Sequence, residues 1–183
     1  MTDLQQFLDS LNQRVEVRVQ AIRVERSWWP CQRGCDHCCR HLAHLPELSA
    51  AEWERVDAAI AQLPSSERAI VEQQINLLLQ QTAEQPSSSS FVCPYLNEPE
   101  GACRIYDSRP IACRTYGFFV AREHNQYCQK IETEIEDRGE HGIVWGNAEA
   151  IRHDLEQFCG VPISFEQHYA DRACDNVDGT GQL

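Results

Sequence analysis

The sequence predicts a small, mainly α-helical domain in which irregular, cysteine-rich loops close around a metal or iron–sulfur site. Three observations lead to this fold class. Apolar residues recur at helical spacing, loop-forming residues concentrate between 91 and 128, and eight of the 10 cysteines fall into two groups. A chain of 183 residues can bury its own core, so it does not need disulfide staples to fold. We expect one domain over residues 1–170 and a frayed tail over 171–183.

The first element is an amphipathic helix predicted over residues 3–24, after a cap at Thr2 or Asp3. Its apolar residues follow helical spacing: Leu4, Phe7, Leu8, Leu11, Val15, Val19 and Ile22. A stripe of this kind packs into a core or against a partner helix, so we give it no catalytic role.

Two further helices, over residues 49–63 and 65–83, are predicted to form a hairpin. Ser49 and Glu52 have the spacing of a capping box, and Pro64 ends the first helix. The residues predicted to face the core are Trp53, Val56, Ala59, Ile60 and Leu63 in the first helix, and Ile70, Val71, Ile75, Leu78 and Leu79 in the second.

Residues 86–90 and the segment 91–128 are predicted to be irregular. Residues that interrupt regular structure recur there at short intervals: Pro86, Pro94, Pro99, Gly101, Pro110 and Gly117. One short helix is expected from Arg109 to Tyr116, because a proline suits a first helical turn and a glycine suits a C-terminal cap. A last helix is expected over residues 148–158.

Eight cysteines fall into two groups, which the predicted hairpin separates. The first group is Cys31, Cys35, Cys38 and Cys39, and the second is Cys93, Cys103, Cys113 and Cys128. The two-residue gap between Cys35 and Cys38 lets both thiolates turn toward one ion, as in zinc and iron–sulfur loops. We therefore predict that the eight thiols bind metal and that the fold brings the two groups together. Adjacent Cys38 and Cys39 point apart, so either one ligates and the other packs, or two metals lie close together.

Composition and charge limit the compartment and the partners that we expect. The N-terminal residues lack the pattern of a signal peptide, and no window holds the ~18 consecutive apolar residues of a membrane span, so we expect a cytoplasmic chain without a membrane partner. In that compartment thiols stay reduced, and clustered cysteines bind metal more often than they form disulfides. The formal charge of −12 argues against a nucleic-acid partner.

Arginines gather around the second cysteine group, although the chain as a whole is acidic. The segment from Gly101 to Arg122 has four arginines against one aspartate, which gives a local charge of +3. Three of these residues, Arg104, Arg109 and Arg114, are candidates to bind an anionic substrate, because the guanidinium group recognises anions with a planar fork of donors. Shielding of thiolate charge and ordinary surface positions are the alternatives.

The cysteine motifs resemble a known family. CQRGCDHCC at 31–39, CPYL at 93–96 and CRIYDSRPIACRTYGF at 103–118 are similar to the cysteine-cluster family named for its CxxCxxCC motif and described as zinc- or iron-chelating. The resemblance covers a cysteine-rich core of about residues 28–130 and implies that the eight cysteines are the ligands.

One gap departs from the family pattern. The first gap here has three residues rather than two, which makes Cys31 the least secure ligand, although Gly34 could let the loop turn back. Cys159 and Cys174 lie outside the pattern and are expected to be structural or free thiols.

Thiol ligands fit either Zn²⁺ or an iron–sulfur cluster. Cys93 followed by Pro94, and the neighbouring arginines, favour the cluster. His37 or His41 could complete a mixed site, although a role outside the ligand set is the simpler interpretation. Tyr106 and Tyr116 are expected to pack over the site. The alternative is that their hydroxyl groups take part in its chemistry.

Several functions fit these predictions. The first is a metalloprotein that uses its cluster for electron transfer or for redox chemistry on an anionic substrate. The second is a non-enzymatic zinc module that binds a protein partner, and a third is metal storage or delivery. The resemblance also extends to the flagellin lysine N-methylases, which look like iron–sulfur enzymes that use S-adenosylmethionine, although the sequence has no glycine-rich loop for a methyl donor. Whether the chain is an enzyme stays open at this stage.

Overall fold

The computed structural model describes residues 3–84, 90–121 and 128–170, and it confirms the mainly α-helical fold class. Its α-helices are α1 (Asp3–Glu25), α2 (His37–Arg40), α3 (Ala50–Ala61), α4 (Ser65–Glu84), α5 (Ile111–Thr115), α6 (Gln129–Arg138) and α7 (Ala148–Cys159). A 3₁₀ turn covers Tyr106–Ser108, and residues 165–170 are helical. The alternative cap at Thr2, most of the loop at 86–90, Arg122, the tail at 171–183 and Cys174 lie outside the described residues.

Helix α1 has the predicted extent and buries most of the predicted stripe. The buried side chains are Leu8, Leu11, Val15, Val19 and Ile22. Leu4 is 43% exposed, so the buried stripe begins one turn later than its helical spacing suggests. Phe7, which is half-buried, stacks its ring on Phe158 of α7 at 4.5 Å.

Helices α3 and α4 form the predicted hairpin. The capping box is confirmed, since the Ser49 backbone N–H donates to Glu52 Oε2 at 3.1 Å and the Glu52 N–H donates to Ser49 Oγ at 3.4 Å. Ile70 was predicted to face the core but is 41% exposed, whereas its neighbour Val71 is buried. The helix therefore buries the stripe through Val71, Ile75 and Leu78.

The segment after the hairpin contains more regular structure than its breaking residues predict. Helix α5 begins two residues later than predicted, because Arg109 and Pro110 both have extended ψ angles, of 139° and 157°. Helix α6 was not predicted. It buries only Ile131, and Gly139 ends it in the left-handed conformation at φ 61°.

Within the described residues, six two-residue strands form pairs, and none was predicted because two residues are too few to show alternation. They are β1 (Glu47–Leu48), β2 (Leu96–Asn97), β3 (Ala102–Cys103), β4 (Phe119–Val120), β5 (Gly146–Asn147) and β6 (Ile163–Ser164). β1 pairs with β6 and β2 with β3, both antiparallel, and β4 pairs with β5 in parallel. The β2–β3 hairpin places Cys103 opposite Leu96.

The buried apolar residues form two clusters. The hairpin core is built mainly by α3, α4 and the aromatic residues Phe91, Tyr95, Phe165 and Tyr169. The α1 core is built by α1 together with Trp29, Ile111, Phe118, Phe119, Ile131 and Ile151. Across the described part of the chain, no helix has the length and apolar character needed to cross a membrane.

One buried carboxylate connects the two cores. Glu52, on α3, is 6% exposed, and its Oε2 accepts a 2.9 Å hydrogen bond from the Ser49 hydroxyl in addition to that of the Ser49 backbone. Its Oε1 accepts from the backbone N–H of Ile111 at 3.0 Å, at the start of α5. The helical hairpin therefore holds the short helix that carries Cys113.

Candidate metal centre

The first cysteine group lies on a tight loop and one helical turn. The Cys35 N–H donates to the Gln32 carbonyl at 2.9 Å, and Gly34 takes a φ of 96°, so the longer first gap turns back at the glycine, as expected. Cys38 and Cys39 lie on α2. Cys31, Cys35, Cys38 and Cys39 are all partly buried.

The second cysteine group comes from four separate places in the chain. Cys93 precedes β2, Cys103 ends β3, Cys113 lies on α5 and Cys128 caps the N-terminus of α6. Cys128 is buried, Cys93 and Cys103 are partly buried, and Cys113 has an exposed face. The group depends on tertiary structure for its assembly, unlike the first.

Direct contacts hold the first loop against the β2–β3 hairpin. The Arg40 guanidinium pairs with Asp36 Oδ2 at 2.6 Å and also reaches Glu98, whose backbone carbonyl accepts at 2.8 Å. Gly101, with φ 61°, turns the hairpin next to the Asp36 carboxylate, and a Cβ added there would lie 3.2 Å from Asp36 Oδ2. The hydrogen bond to Arg40 lowers the pKa of Asp36, which keeps this pair charged.

The two cysteine groups meet at the adjacent pair of the first loop. The backbone N–H of Cys93 donates to the Cys39 carbonyl at 2.7 Å. The neighbouring thiols of Cys38 and Cys93 also act on the pKa of Cys39. The two groups are therefore in contact at Cys39 and Cys93, although the helical hairpin separates them in sequence.

The remaining thiols are close enough to affect one another's ionisation. Burial, followed by the charges of Cys38 and Cys35, raises the pKa of Cys31 to about 12. Burial also raises the pKa of Cys128, with smaller contributions from Cys35 and Cys38. Cys31 thus lies among the other thiols, despite the departure of its spacing from the family pattern.

Burial and neighbouring thiols also raise the pKa values of Cys103, Cys113 and Cys38. Burial raises the pKa of Cys103, and the charge of Cys38 adds to the rise. Desolvation raises the pKa of Cys113, followed by the charges of Cys103, Cys38 and Cys39, even though the residue keeps an exposed face. The hydrogen bond to Cys39 raises the pKa of Cys38, so these thiols are protonated at neutral pH when no cation is bound.

The thiols are neighbours, but they are not set in ligand geometry. Within residues 3–84, 90–121 and 128–170, no group of three or more His, Cys, Asp or Glu side chains is arranged to hold a metal ion. The eight cysteines therefore stay a predicted ligand set. Their chemistry fits the group that the motif implies, because soft thiolate ligands suit both zinc and iron–sulfur clusters.

The three candidate arginines all have partners within the chain. Arg104 is buried and pairs with Glu67 of α4 at 3.0 Å. Arg114 donates from Nε to the Arg109 carbonyl at 2.9 Å and from its terminal nitrogen to the Asp107 carbonyl. Arg109 donates to the Tyr106 carbonyl at 3.0 Å, and its guanidinium lies 3.6 Å from the centre of the Tyr106 ring. Tyr106 therefore packs at the site, as expected.

Two arginines that the sequence analysis missed also act on the thiols. Arg33 lies over the Tyr106 ring at 4.8 Å, and with Arg109 it lowers the pKa of Cys103 against the effect of burial. Arg23 donates to the Cys31 carbonyl at 3.0 Å and lowers the pKa of that thiol in the same way. The place of Arg33 between the first two cysteines was a visible signal, whereas Arg23 belongs to no motif.

The two histidines of the first loop contact each other. Their rings lie 4.7 Å apart, and the His37 carbonyl lies 2.9 Å from His41 Nδ1. His37 also lines a cavity of about 380 Å³, together with Pro30, Gln129, Lys130, Thr133 and Glu134. Burial lowers the pKa of His37, followed by the charges of His41 and Lys130, so the ring is neutral at physiological pH.

Tyr116 lies at the edge of the site and is 37% exposed. Its backbone carbonyl accepts a 3.7 Å hydrogen bond from the Cys31 thiol. The next residue, Gly117, has φ 80°, and a Cβ there would lie 2.8 Å from Ile131 Cδ1 and 3.4 Å from Cys31 Sγ. This close approach explains the glycine in the second motif, which sequence reasoning had assigned only to capping.

Cys159 is a free thiol apart from this cluster, at the end of α7. Burial raises its pKa, and the nearby Ser49 side chain opposes this rise. The role of Cys159 as a structural or free thiol stays a prediction.

Comparison with known proteins gives one match. The model of the family described as "CxxCxxCC: Putative zinc- or iron-chelating domain" matches residues 30–133, which include all eight clustered cysteines. No curated protein and no solved structure matches the chain. Because the matched segment covers more than half of the sequence, the chain belongs to the CxxCxxCC family of zinc- or iron-chelating domains.

Proposed function

We propose that the eight clustered thiols are the metal ligands of this domain and that bound metal joins the two cysteine groups. The observation that supports this most directly is the 2.7 Å hydrogen bond from the Cys93 backbone N–H to the Cys39 carbonyl, which connects the two groups. The proposal includes a cytoplasmic location, where reducing conditions keep the thiols available to metal.

For the metal, we favour an iron–sulfur cluster over zinc. A cluster held by thiolates carries negative charge, and three guanidinium groups lie beside the thiols: Arg23 next to Cys31, and Arg33 and Arg109 next to Cys103. Positive charge near a cluster also raises its reduction potential. Electron transfer is the activity that such a cofactor would supply.

Anaerobic purification of the full chain tests this proposal. We expect a brown protein with visible absorbance, whose iron and acid-labile sulfide are lost when cysteines of the set are replaced by serine. A colourless protein with bound zinc would assign the structural zinc module instead. A protein that binds neither metal, as isolated or after reconstitution, would overturn the proposed function.

A structural zinc module is the second candidate, and the arginines favour it. Arg104 is paired with Glu67, and Arg114 is held by two backbone carbonyls, so two of the three candidate substrate ligands already have internal partners. In this version the metal stabilises the loops, and the helical surfaces bind a protein partner. Zinc content without visible absorbance identifies it.

An anionic substrate is a separate part of the proposal. Arg109 stays the best candidate of the three, because it is the one whose charge acts on both Cys103 and Cys113. Replacement by lysine keeps the charge but removes the planar fork, so we expect weaker substrate binding with full metal content. The same replacement at Arg104 should leave binding unchanged, and an equal loss at both positions would argue against a substrate site at Arg109.

A further inference from the structure

We propose that the cavity between the loop of the first cysteine group and helix α6 binds a small organic carboxylate, with the Lys130 ammonium group as its counter-ion. The cavity has a volume of about 380 Å³. Small-molecule sites usually measure about 300–1,000 Å³, so its size is suitable. The inference goes beyond the proposed function, because Lys130 belongs neither to the predicted metal ligands nor to the candidate arginines.

Two separate parts of the chain form the walls of this cavity. The loop contributes two of the lining residues and the first turns of α6 contribute four: Pro30 and His37, then Gln129, Lys130, Thr133 and Glu134. Residues three and four positions apart share one face of a helix, so Lys130, Thr133 and Glu134 project from the same face of α6. Tertiary packing therefore brings a helix face and a loop together around one open space.

Lys130 is the single lysine of the sequence, because every other residue in the count of 16 lysines and arginines is an arginine. It is exposed, and across the described residues its ammonium group has neither a hydrogen bond nor an ion pair. The chain has a formal charge of −12, yet this cation has no carboxylate partner among those residues. Its charge is therefore available to an anion that enters the cavity.

The one acidic residue that lines the cavity already has a cationic partner. Glu134 pairs with Arg138 Nε at 2.9 Å. In the loop that forms the other wall, Asp36 pairs with Arg40 at 2.6 Å. The charge that a ligand meets at the walls is therefore that of Lys130, which favours an anion over a cation.

The groups in the walls favour an organic carboxylate over phosphate. Lysine supplies one compact positive charge, which matches a monocarboxylate, whereas a phosphate group carries about two negative charges and suits the forks of arginines. His37 and Gln129 add side chains that can hydrogen-bond to the ligand, and the Pro30 ring adds apolar surface for its body.

The cavity lies beside the cysteine cluster. His37 stands between Cys35 and Cys38 in the first motif, and Gln129 directly follows Cys128. A carboxylate bound here would lie close to the thiols that we propose as metal ligands. Its role as a substrate of that metal centre rests on the proposed function, whereas its binding at Lys130 does not.

The single lysine allows a direct test on the full chain. Reductive methylation with ¹³C-formaldehyde labels Lys130 and the N-terminal amine, and it preserves the charge of both. On titration with benzoate, we expect a saturable shift of the Lys130 NMR signal and no comparable shift of the N-terminal signal. Equal shifts of the two signals would reflect a general effect of salt and would overturn the proposal.

Two further probes define the class of ligand. Benzamide has the shape of benzoate without its charge, and inorganic phosphate has charge without an apolar body. We expect benzoate to bind about 5-fold or more tightly than either, since an ion pair at a partly open site has an effect of this size. Equal binding of benzamide, or tighter binding of phosphate, would contradict a carboxylate site.

Variants of the unlabelled chain assign the binding to Lys130, with affinities measured by ligand-observed NMR. We expect Lys130→Gln to weaken benzoate binding about 5-fold or more and Lys130→Arg, which keeps the charge, to weaken it less. Arg152→Gln removes an exposed cation from α7 and should leave the affinity unchanged. Unchanged binding by Lys130→Gln, or an equal loss in Arg152→Gln, would overturn the assignment.

Metal content measured on the same samples separates this inference from the proposed function. A chain that binds metal but not benzoate would overturn the carboxylate site alone. A chain that binds benzoate through Lys130 but cannot be loaded with metal would support the carboxylate site and overturn only the proposed function.

Discussion

Among single residues, Gly117 shows how closely the backbone approaches the cysteine site. It has a positive φ, and it leaves no room for a side chain between Ile131 and Cys31. A side chain at this position would therefore both strain the backbone and clash with its neighbours. A matched pair of variants can measure these two costs separately.

We predict that Gly117→Ala destabilises the fold more than Gly139→Ala does. Gly139 has a similar positive φ of 61° but has no atom within 4 Å of an added Cβ. Its replacement should cost about 1–2 kcal/mol for the left-handed backbone alone. At Gly117, overpacking should add about 1–3 kcal/mol. Urea unfolding of both variants measures the difference, and equal costs would show that the contact with Ile131 relaxes freely.

The arginines at the site differ in what their charges reach. Arg109 acts on the Cys103 thiol, whereas Arg104 is paired with Glu67. We predict that Arg109→Gln weakens metal retention by about 10-fold or more, within the range found for groups that support metal ligands. Arg104→Gln, at the position next to Cys103, should leave retention unchanged.

Competition with a chelator measures the retention of metal in both arginine variants. Circular dichroism confirms that each still folds, since Arg109→Gln also removes a hydrogen bond to the Tyr106 carbonyl. If Arg104→Gln lost metal as readily as Arg109→Gln, local charge in general, rather than the position of Arg109, would support the site.

Among the secondary-structure elements, α3 positions α5 through Glu52. The carboxylate accepts from Ser49 on one oxygen and from the Ile111 backbone on the other, so it caps its own helix and holds the next one. An amide at this position would turn its NH₂ group toward one of these donors. The helical hairpin is therefore part of the support of Cys113, although it contains none of the eight cysteines.

We predict that Glu52→Gln costs about 1.5–3 kcal/mol of folding stability, which is the usual scale for hydrogen bonds to a charged group. Glu54→Gln on the same helix is the control, since Glu54 is exposed and should change stability by less than about 0.5 kcal/mol. Thermal and urea unfolding compare the two. A cost of Glu52→Gln as small as that of the control would show that the link to α5 contributes little.

Sequence patterns predicted some of these elements better than others. Helix α1 and the hairpin were predicted nearly to the residue, because each carries several turns of apolar periodicity and clear capping signals. Helix α6 buries only Ile131 and gave no such pattern. The paired strands depend on partners far away in sequence, such as β1 and β6, so no local signal marks them.

For the site, spacing identified the eight cysteines but not their surroundings. The motif alone could not show that Arg104 pairs with Glu67 from α4, because that contact depends on how the hairpin packs. For the same reason Arg23, which lies on α1, was not recognised as a neighbour of Cys31. Residue types predict the chemistry of the site, and tertiary packing selects which charges act on it.

In the whole molecule, the thiols lie between two apolar cores that each have their own helices. We predict that removal of metal with a chelator leaves α1, α3 and α4 folded but exposes the segment 91–121 to proteases. This segment has only two-residue strands, a 3₁₀ turn and the five-residue helix α5, and its buried side chains depend on packing against the cores that the longer helices build. Limited proteolysis read by mass spectrometry, with circular dichroism for helix content, checks both parts. Unchanged cleavage of 91–121 would mean that the cores order this segment without metal.

The open space around Gly34 concerns the length of the gap between the first two cysteines and how it can vary among family members. No atom lies within 4 Å of a Cβ added at Gly34, so the loop between Cys31 and Cys35 has open space around this residue. The length between the first two cysteines is therefore free to drift during evolution, whereas the Cys35–Cys38–Cys39 register on one helical turn is not. Relatives with still longer first gaps should exist, and a pattern search that demands two residues there would overlook them.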